Sequence, residues 1–299
     1  VSEALYGAPP LELATPAADA VQVSPLAIGA QSIESLGDRS LTRMVVAAPP
    51  GTLERRYVLA HALRALAPGA ELVALAPKTR GGARLAEELR AFGCEIGQSA
   101  RRHHRICLCV RPAEPTGLEA AIANGGPQVP PSLGLWSQPG VFSWDRLDPG
   151  SERLIAKLPP LAGRGVDLGC GVGVLGRAVL GQAAVGELLM IDIDRRAIEA
   201  ARRNVVDPRA TPLQADVRTH ALSGLDFAVM NPPFHEGGRE QRDLGAGFIA
   251  AAARALRRGG TLVMVANLAL PYEAPLAAAF RSLETLERSG GYKVYKAVL

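Results

Sequence analysis

Asn231-Pro232-Pro233-Phe234 concentrates the most chemistry in the fewest residues of this chain. It follows the apolar run 225–230, which reads as a buried parallel strand ending at Asn231. Proline fixes its own φ and pushes the preceding residue toward extended geometry, so the turn after the strand is stiff. An Asn amide carries one acceptor and two donors, and a neighbouring aromatic ring offers a stacking face. The pair suits a planar group with an exocyclic nitrogen, such as a nucleobase. The plainer alternative is a turn that happens to contain Pro-Pro.

A glycine loop upstream favours the chemical reading. Asp167-Leu168-Gly169-Cys170-Gly171-Val172-Gly173 joins an expected strand to an expected helix. Gly169, Gly171 and Gly173 let the backbone turn tightly and approach a ligand, and the helix start presents free N–H groups. About twenty residues later Asp192 ends the next strand, where a carboxylate can hold both hydroxyls of a ribose. Asp216 ends the strand after that, within expected reach of an adenine. Cys170, between two glycines, reads as a small residue. Gly171 to Gly176 also fits the G-x-G-x-x-G pattern of dinucleotide binding. The leading Asp167, the acid at the third strand end and the Asn-Pro-Pro-Phe at the fourth favour S-adenosylmethionine over a nicotinamide cofactor. All four sites fall at carboxyl ends of adjacent strands, where open α/β sheets bind ligands.

The elements that hold these residues form two α/β units. In the first, strands are expected at 41–48, 71–76 and 105–110, with helices at 53–66 and 83–92. Residues 1–40 carry weak signals, and 112–139 are rich in Pro and Gly. Asp148-Pro149-Gly150-Ser151 looks like a helix start, with Asp148 or Ser151 as the cap. Strands and helices then alternate to the end, finishing with 261–266 and 292–299. Residues 45–51 resemble 228–234, and 63–74 resemble 255–264 in part. In this match the first unit has Ala48 where the second has Asn231, and it has no glycine loop. The chain therefore reads as a duplicated fold whose first copy has lost its chemistry or half its length. The expected domains are 1–125, a linker at 126–139, and a catalytic domain at 140–299.

At 299 residues with 48% hydrophobic content, the chain is long and apolar enough for two domains with real cores. No apolar run is long enough for a membrane-spanning helix. The first twenty residues show no basic stretch before an apolar core, so a cytoplasmic location is expected. Cys94, Cys107, Cys109 and Cys170 have no zinc-like spacing, and no metal is expected. The formal charge is +4, carried almost wholly by arginine, which pairs with phosphate and stacks on bases. Arg101-Arg102-His103-His104-Arg105 is either a phosphate contact or a solvated loop. Lys293 and Lys296 alternate with Tyr292 and Tyr295, so one face of that strand is expected to pack and the other to face water.

The chain resembles the class I S-adenosylmethionine-dependent methyltransferases, and within them the ribosomal RNA small-subunit methyltransferase C family. The residues that carry this are Gly140-Val141-Phe142-Ser143, Leu147-Asp148-Pro149-Gly150-Ser151, the loop at 167–173 and Asn231-Pro232-Pro233-Phe234-His235. Leu270-Pro271-Tyr272 and Tyr292-Lys293-Val294-Tyr295-Lys296 match as well. In the first unit the similarity is weaker, at Lys78-Thr79-Arg80-Gly81-Gly82 and Ser99-Ala100-Arg101-Arg102, and the unit is shorter than is usual for the family. The resemblance implies two Rossmann-like methyltransferase domains. The C-terminal one has a seven-stranded, mostly parallel sheet, and the N-terminal one is truncated or degenerate. It implies methyl transfer to N2 of a guanine in 16S ribosomal RNA, acting as a monomer on that RNA or the 30S subunit. Asn231 and the Pro232 carbonyl would accept the amine's two N–H bonds, with Phe234 stacked on the base. A large-subunit guanine, adenine N6 and a protein glutamine amide remain alternatives, since each presents a planar NH2. A nicotinamide-dependent oxidoreductase and a non-catalytic RNA-binding module stand further off. His235 either lines the base pocket or is structural.

Overall fold

The apolar runs that end at the chemical residues become the central strands of a parallel sheet. The computed structural model describes residues 2–233 and 239–299, and the side chains of 239–243 lie outside the description. Phe234 and His235 therefore lie outside the described residues. The chain forms two units, one of residues 1–128 with 138–140 and one of 129–137 with 141–299. The stretch expected as a linker is thus divided between them.

In the first unit the strands are β1 (Glu3–Tyr6), β2 (Val21–Gln22), β3 (Leu41–Ala47), β4 (Leu66–Pro77), β5 (Ile96–Arg101) and β6 (His104–Val110). The helices are α1 (Thr52–Ala65), α2 (Leu85–Ala91) and α3 (Leu118–Gly125). The six strands form one sheet in the order β2-β1-β3-β4-β6-β5. Met44, Val46, Leu59, Leu63, Leu72 and Phe92 are buried in its main core. The basic cluster forms the turn of the β5–β6 hairpin, with Arg102 and His103 at positive φ. Arg102 pairs with Glu12 there, and Arg101 donates to the Glu12 carbonyl at 3.3 Å.

The second unit begins with α4 (Pro149–Ala156), β7 (Gly163–Leu168), α5 (Val174–Leu180), β8 (Val185–Asp192), α6 (Arg195–Asn204) and β9 (Ala210–Gln214). It continues with β10 (Leu225–Met230), α7 (Arg239–Ala255), β11 (Leu256–Asn267), α8 (Glu273–Ala279), β12 (Ser282–Ser289) and β13 (Tyr292–Val298). Its seven-stranded sheet runs β12-β13-β11-β10-β7-β8-β9. Neighbours pair in parallel except β13, which is antiparallel to both β11 and β12. Val166, Leu168, Ile191, Met230 and Met264 pack on one face, and Leu188, Met190, Phe227, Val229 and Val263 on the other. Both faces are covered, which is why these strands read as continuous apolar runs.

The last strand packs by one face, with Lys293, Tyr295 and Ala297 buried and Tyr292, Lys296 and Val298 half-buried. Lys293 Nζ reaches the Leu270 carbonyl at 2.9 Å and Glu273 at 2.6 Å. The Tyr295 hydroxyl donates to the same Glu273 oxygen at 2.5 Å. The edge strands β5 and β12 went unread because their residues are mostly exposed and carry no apolar run. The match between units also shifts by one residue. Arg43 lies opposite Glu71, and Phe227 lies opposite Thr261. With Glu71 equated to Thr261, Ala47 rather than Ala48 stands level with Asn231.

Candidate active site

Asp148 caps α4. Its backbone is extended, its side chain accepts from the Ser151 N–H at 2.8 Å, and Pro149 opens the first turn. A side chain at Gly150 would collide with Asp148 Oδ2 at 2.9 Å and with the Tyr292 ring at 3.0 Å. Glycine there lets the helix start sit close to the strand ends.

The glycine loop leaves β7 with Gly169, Gly171 and Gly173 at φ of 76°, 53° and 91°, conformations that favour glycine. A Cβ on Gly169 would press on Phe248 and one on Gly173 on Val205, whereas one on Gly171 would meet nothing. Gly171 is therefore the loop position where backbone faces open space. The Gly171 N–H donates to Asp192 Oδ2 at 2.9 Å, and the Asp194 N–H donates to Asp192 Oδ1 at 2.9 Å. Burial raises the Asp192 pKa, and these backbone donors oppose the rise.

Asp167 is fully buried beneath the loop, and among the described residues neither oxygen has a partner of ordinary hydrogen-bond geometry. Burial and the nearby Asp192 push its pKa up to about 8, and the Gly176 N–H offsets only part of this. Cys170 is buried and its thiol is raised far out of the reactive range, in keeping with a small structural residue. Asp216 lies just past β9, with both oxygens on the Arg218 guanidinium at 3.0 and 2.6 Å. That pairing lowers its pKa.

A cleft opens among these elements. Gly169, Gly171, Leu175, Asp148, Ser151 and Asn231 line it, and Leu133, Phe142 and Leu147 form an apolar rim. The sequence-expected Gly169, Gly171 and Asn231 thus meet in one cavity. Asp167 lies below it, Asp192 braces it through Gly171, and Asp216 does not line it. Gly173 packs behind it, against Val205. Part of the expected linker turns out to be a wall. Leu133, Leu135 and Trp144 pack with Val141 and Val172. Asn204 holds Trp136 through two hydrogen bonds of 2.8 Å and reaches the Val172 carbonyl at 2.9 Å.

Asn231 follows β10 and is half-buried. Its Nδ2 donates to Asp148 Oδ2 at 2.7 Å and to Ser151 Oγ at 2.9 Å. Its Oδ1 is buried and has no partner among the described residues. A buried acceptor left unmade costs free energy, so such a group is a candidate for meeting a ligand's N–H. Sequence reasoning saw Asp148 and Ser151 as helix caps and missed this second contact.

The donor set fits S-adenosylmethionine. Backbone is open at Gly171, a carboxylate stands at the end of β8, and an amide oxygen with no partner among the described residues stands at the end of β10. Among the described residues no cluster of His, Cys, Asp or Glu is arranged to hold a metal, and no helix is long and apolar enough to cross a membrane.

Residues 132–296 match the Methyltransferase small domain family. The ribosomal RNA small subunit methyltransferase C of Pseudomonas paraeruginosa is 34% identical over 249 residues, covering 81% of this chain and 74% of that protein. The Klebsiella pneumoniae protein of the same name is 32% identical over 263 residues, covering 84% and 74%. A 16S rRNA guanine-N2 methyltransferase of T. thermophilus, solved with AdoMet and guanosine, superposes with a TM-score of 0.80 at 25% identity. The match covers all of this chain and 88% of that one.

Proposed function

The chain belongs to the ribosomal RNA small subunit methyltransferase C family, and from that membership we propose that it methylates the exocyclic N2 of a guanine in 16S ribosomal RNA. The methyl donor is S-adenosylmethionine, which supplies a methyl group already activated on a sulfonium. One observation carries the proposal: the buried Asn231 amide oxygen has no partner among the described residues, while its nitrogen is fully engaged.

A guanine amino group is a weak nucleophile because its lone pair is delocalised into the ring. Asn231 Oδ1 accepts one of its N–H bonds and the Pro232 carbonyl accepts the other. The nitrogen is thereby oriented, with its lone pair turned to the face opposite the acceptors. Holding reactants in this way supplies much of the rate in a displacement. Phe234 stacks on the base. Gly169 and Gly171 present backbone to the cofactor, Gly173 shapes the loop, and Asp192 holds the ribose hydroxyls. Asp216 offers the adenine the lone pairs that Arg218 leaves free. Asp167 keeps a polar floor beneath the loop. In this reading the catalytic domain is 140–299, helped by the wall at 133–136. The first unit positions RNA or is structural. The enzyme works in the cytoplasm as a monomer.

Mass mapping after incubation with labelled cofactor tests the assignment on 16S rRNA, 30S subunits, 23S rRNA and total protein. The expected result is N2-methylguanine in 16S rRNA. Label confined to adenine, to 23S rRNA or to protein would overturn it.

A further inference from the structure

Asn231 can serve as an acceptor only if its amide is the right way round. The two ends of an amide are nearly the same size, so packing alone does not choose between them. The choice falls to the neighbours, and here they are asymmetric. Asp148 Oδ2 lies 2.7 Å from Asn231 Nδ2, and an ionised carboxylate can only accept. Ser151 Oγ lies 2.9 Å from the same nitrogen. Turning the amide over would set Oδ1 against the Asp148 carboxylate and leave two N–H donors buried without partners.

We propose that Asp148 and Ser151 are positioning residues for methyl transfer: the N-cap of α4 locks the Asn231 amide with its oxygen toward the substrate amine. The inference rests on the guanine-N2 reading and deepens it. Asp148 Oδ2 has two duties, since it also accepts from the Ser151 N–H at 2.8 Å. The helix start and the amide orientation are therefore set by one oxygen. Ser151 is buried, Pro149 fixes the turn between the two acceptors, and Gly150 leaves room for it. The device selects for an amine. With its oxygen turned away from Asp148, Asn231 welcomes N–H groups and opposes a carbonyl, such as the guanine's own O6, at the same point.

The test is a swap. Asn231→Asp alone sets two carboxylates face to face, and kcat should fall about 10²–10³-fold, as when one preorganised contact is lost. Asp148→Asn combined with Asn231→Asp restores one donor against one acceptor, gives up the acceptor that Oδ2 offered the Ser151 N–H, and leaves an oxygen of the relocated carboxylate facing the amine. The double variant should recover at least about tenfold over Asn231→Asp. Ser151→Ala should lower kcat about 2- to 12-fold, the value of one ordinary hydrogen bond. The RNA KM and the cofactor affinity, by titration calorimetry, should stay within about twofold. A folded swap variant with no recovery, or Ser151→Ala acting on KM alone, would overturn the proposal. A second readout needs no activity. The Asn231 side-chain amide protons, followed by NMR, should exchange slowly in the parent and quickly in the Asp148→Asn, Ser151→Ala double variant. Equal exchange in both would also overturn it. If the parent itself makes no N2-methylguanine, the functional reading falls, and the exchange experiment still judges the lock.

Discussion

The two units share a sheet and differ in what happens at its carboxyl edge. The order β5-β6-β4-β3-β1-β2 in the first unit repeats β12-β13-β11-β10-β7-β8 in the second, strand for strand, and the second adds β9. After β7 comes a glycine loop and a helix. After β1 comes Gly7 and an irregular path to β2, with no helix among the described residues. At the β10 end an amide oxygen is left unpaired among the described residues. At the β3 end the corresponding turn is filled from within. There the Arg55 guanidinium donates to the Pro49 and Pro50 carbonyls at 3.2 and 2.7 Å and makes a bidentate pair with Glu88 at 2.6 Å. A strand end exposes acceptors, and these either serve a ligand or acquire an internal partner. The first unit took the second course.

The strongest way to break this contrast is Arg55→Ala. It leaves Glu88 buried without its cation and should cost the first unit about 3–5 kcal/mol. Hydrogen exchange resolved by peptide should show strands β3, β4 and β6 losing protection. Methyl transfer per folded molecule should be unchanged, and a loss of transfer in a protein with intact exchange would give Arg55 a role in the reaction.

Asn231→Ala is the mirror image. It should leave melting and cofactor affinity near the parent values, because the residue ends a strand beside a cleft. Single-turnover methylation should fall by about 10²–10³, or roughly 2.7–4 kcal/mol. A rate within a few-fold of the parent would remove Asn231 from the chemistry.

Asp192→Ala should weaken S-adenosylmethionine binding by roughly 10- to 150-fold, from about 1.5–3 kcal/mol for a hydrogen bond to a charged group. Calorimetry should place this loss in the second unit alone. An isolated 1–125 fragment that bound the cofactor equally well would erase the difference between the copies.

The fourth contrast is one of sign. Burial pushes the His61 imidazole in the first unit down to about 4, and neither ring nitrogen has a partner among the described residues. Its unfolded form binds the proton more readily, so this contribution is present above about pH 6.5 and is lost as pH falls toward 4. Asp167 in the second unit is raised to about 8, so its folded form keeps the proton. That contribution is present below about pH 4 and is lost as pH rises toward 8. Peptide-resolved stability of the cofactor-free protein at pH 5 and 8 should move in opposite senses in the two units. Asp167→Asn should weaken the trend in the second, where Asp192 is raised as well. Parallel shifts would discard both assignments.

Much of this was legible in the chain because the signals are local. Glycine spacing, an acid at a strand end and Pro-Pro after an apolar run each lie within a few residues. The duplication was legible too, although pairing with the neighbouring strand moved the match by one residue. What could not be read depends on partners far away. Asp148 and Ser151 look like caps until β10 brings Asn231 to them. The partner of Lys293 is hidden until Glu273 folds beneath it. The polar composition of β5 and β12 hides them, since an edge strand needs no apolar run. Leu133 to Trp136 read as linker because Pro and Gly dominate, yet Asn204 fastens that stretch to the glycine loop.

The contact between Asp148 and Asn231 spans 83 residues of chain. During synthesis at about 5–20 residues per second, roughly 4–17 s separate the two side chains leaving the ribosome. Throughout that interval α4 can cap itself, because Ser151 arrives with it, but the amide it will orient does not yet exist. Closing so long a loop is slow to be rewarded, so catalytic competence is acquired late, after β7, β8 and β9 have been made. A nascent chain stalled before Asn231 would hold the glycine loop and the ribose carboxylate while lacking the acceptor for the amine.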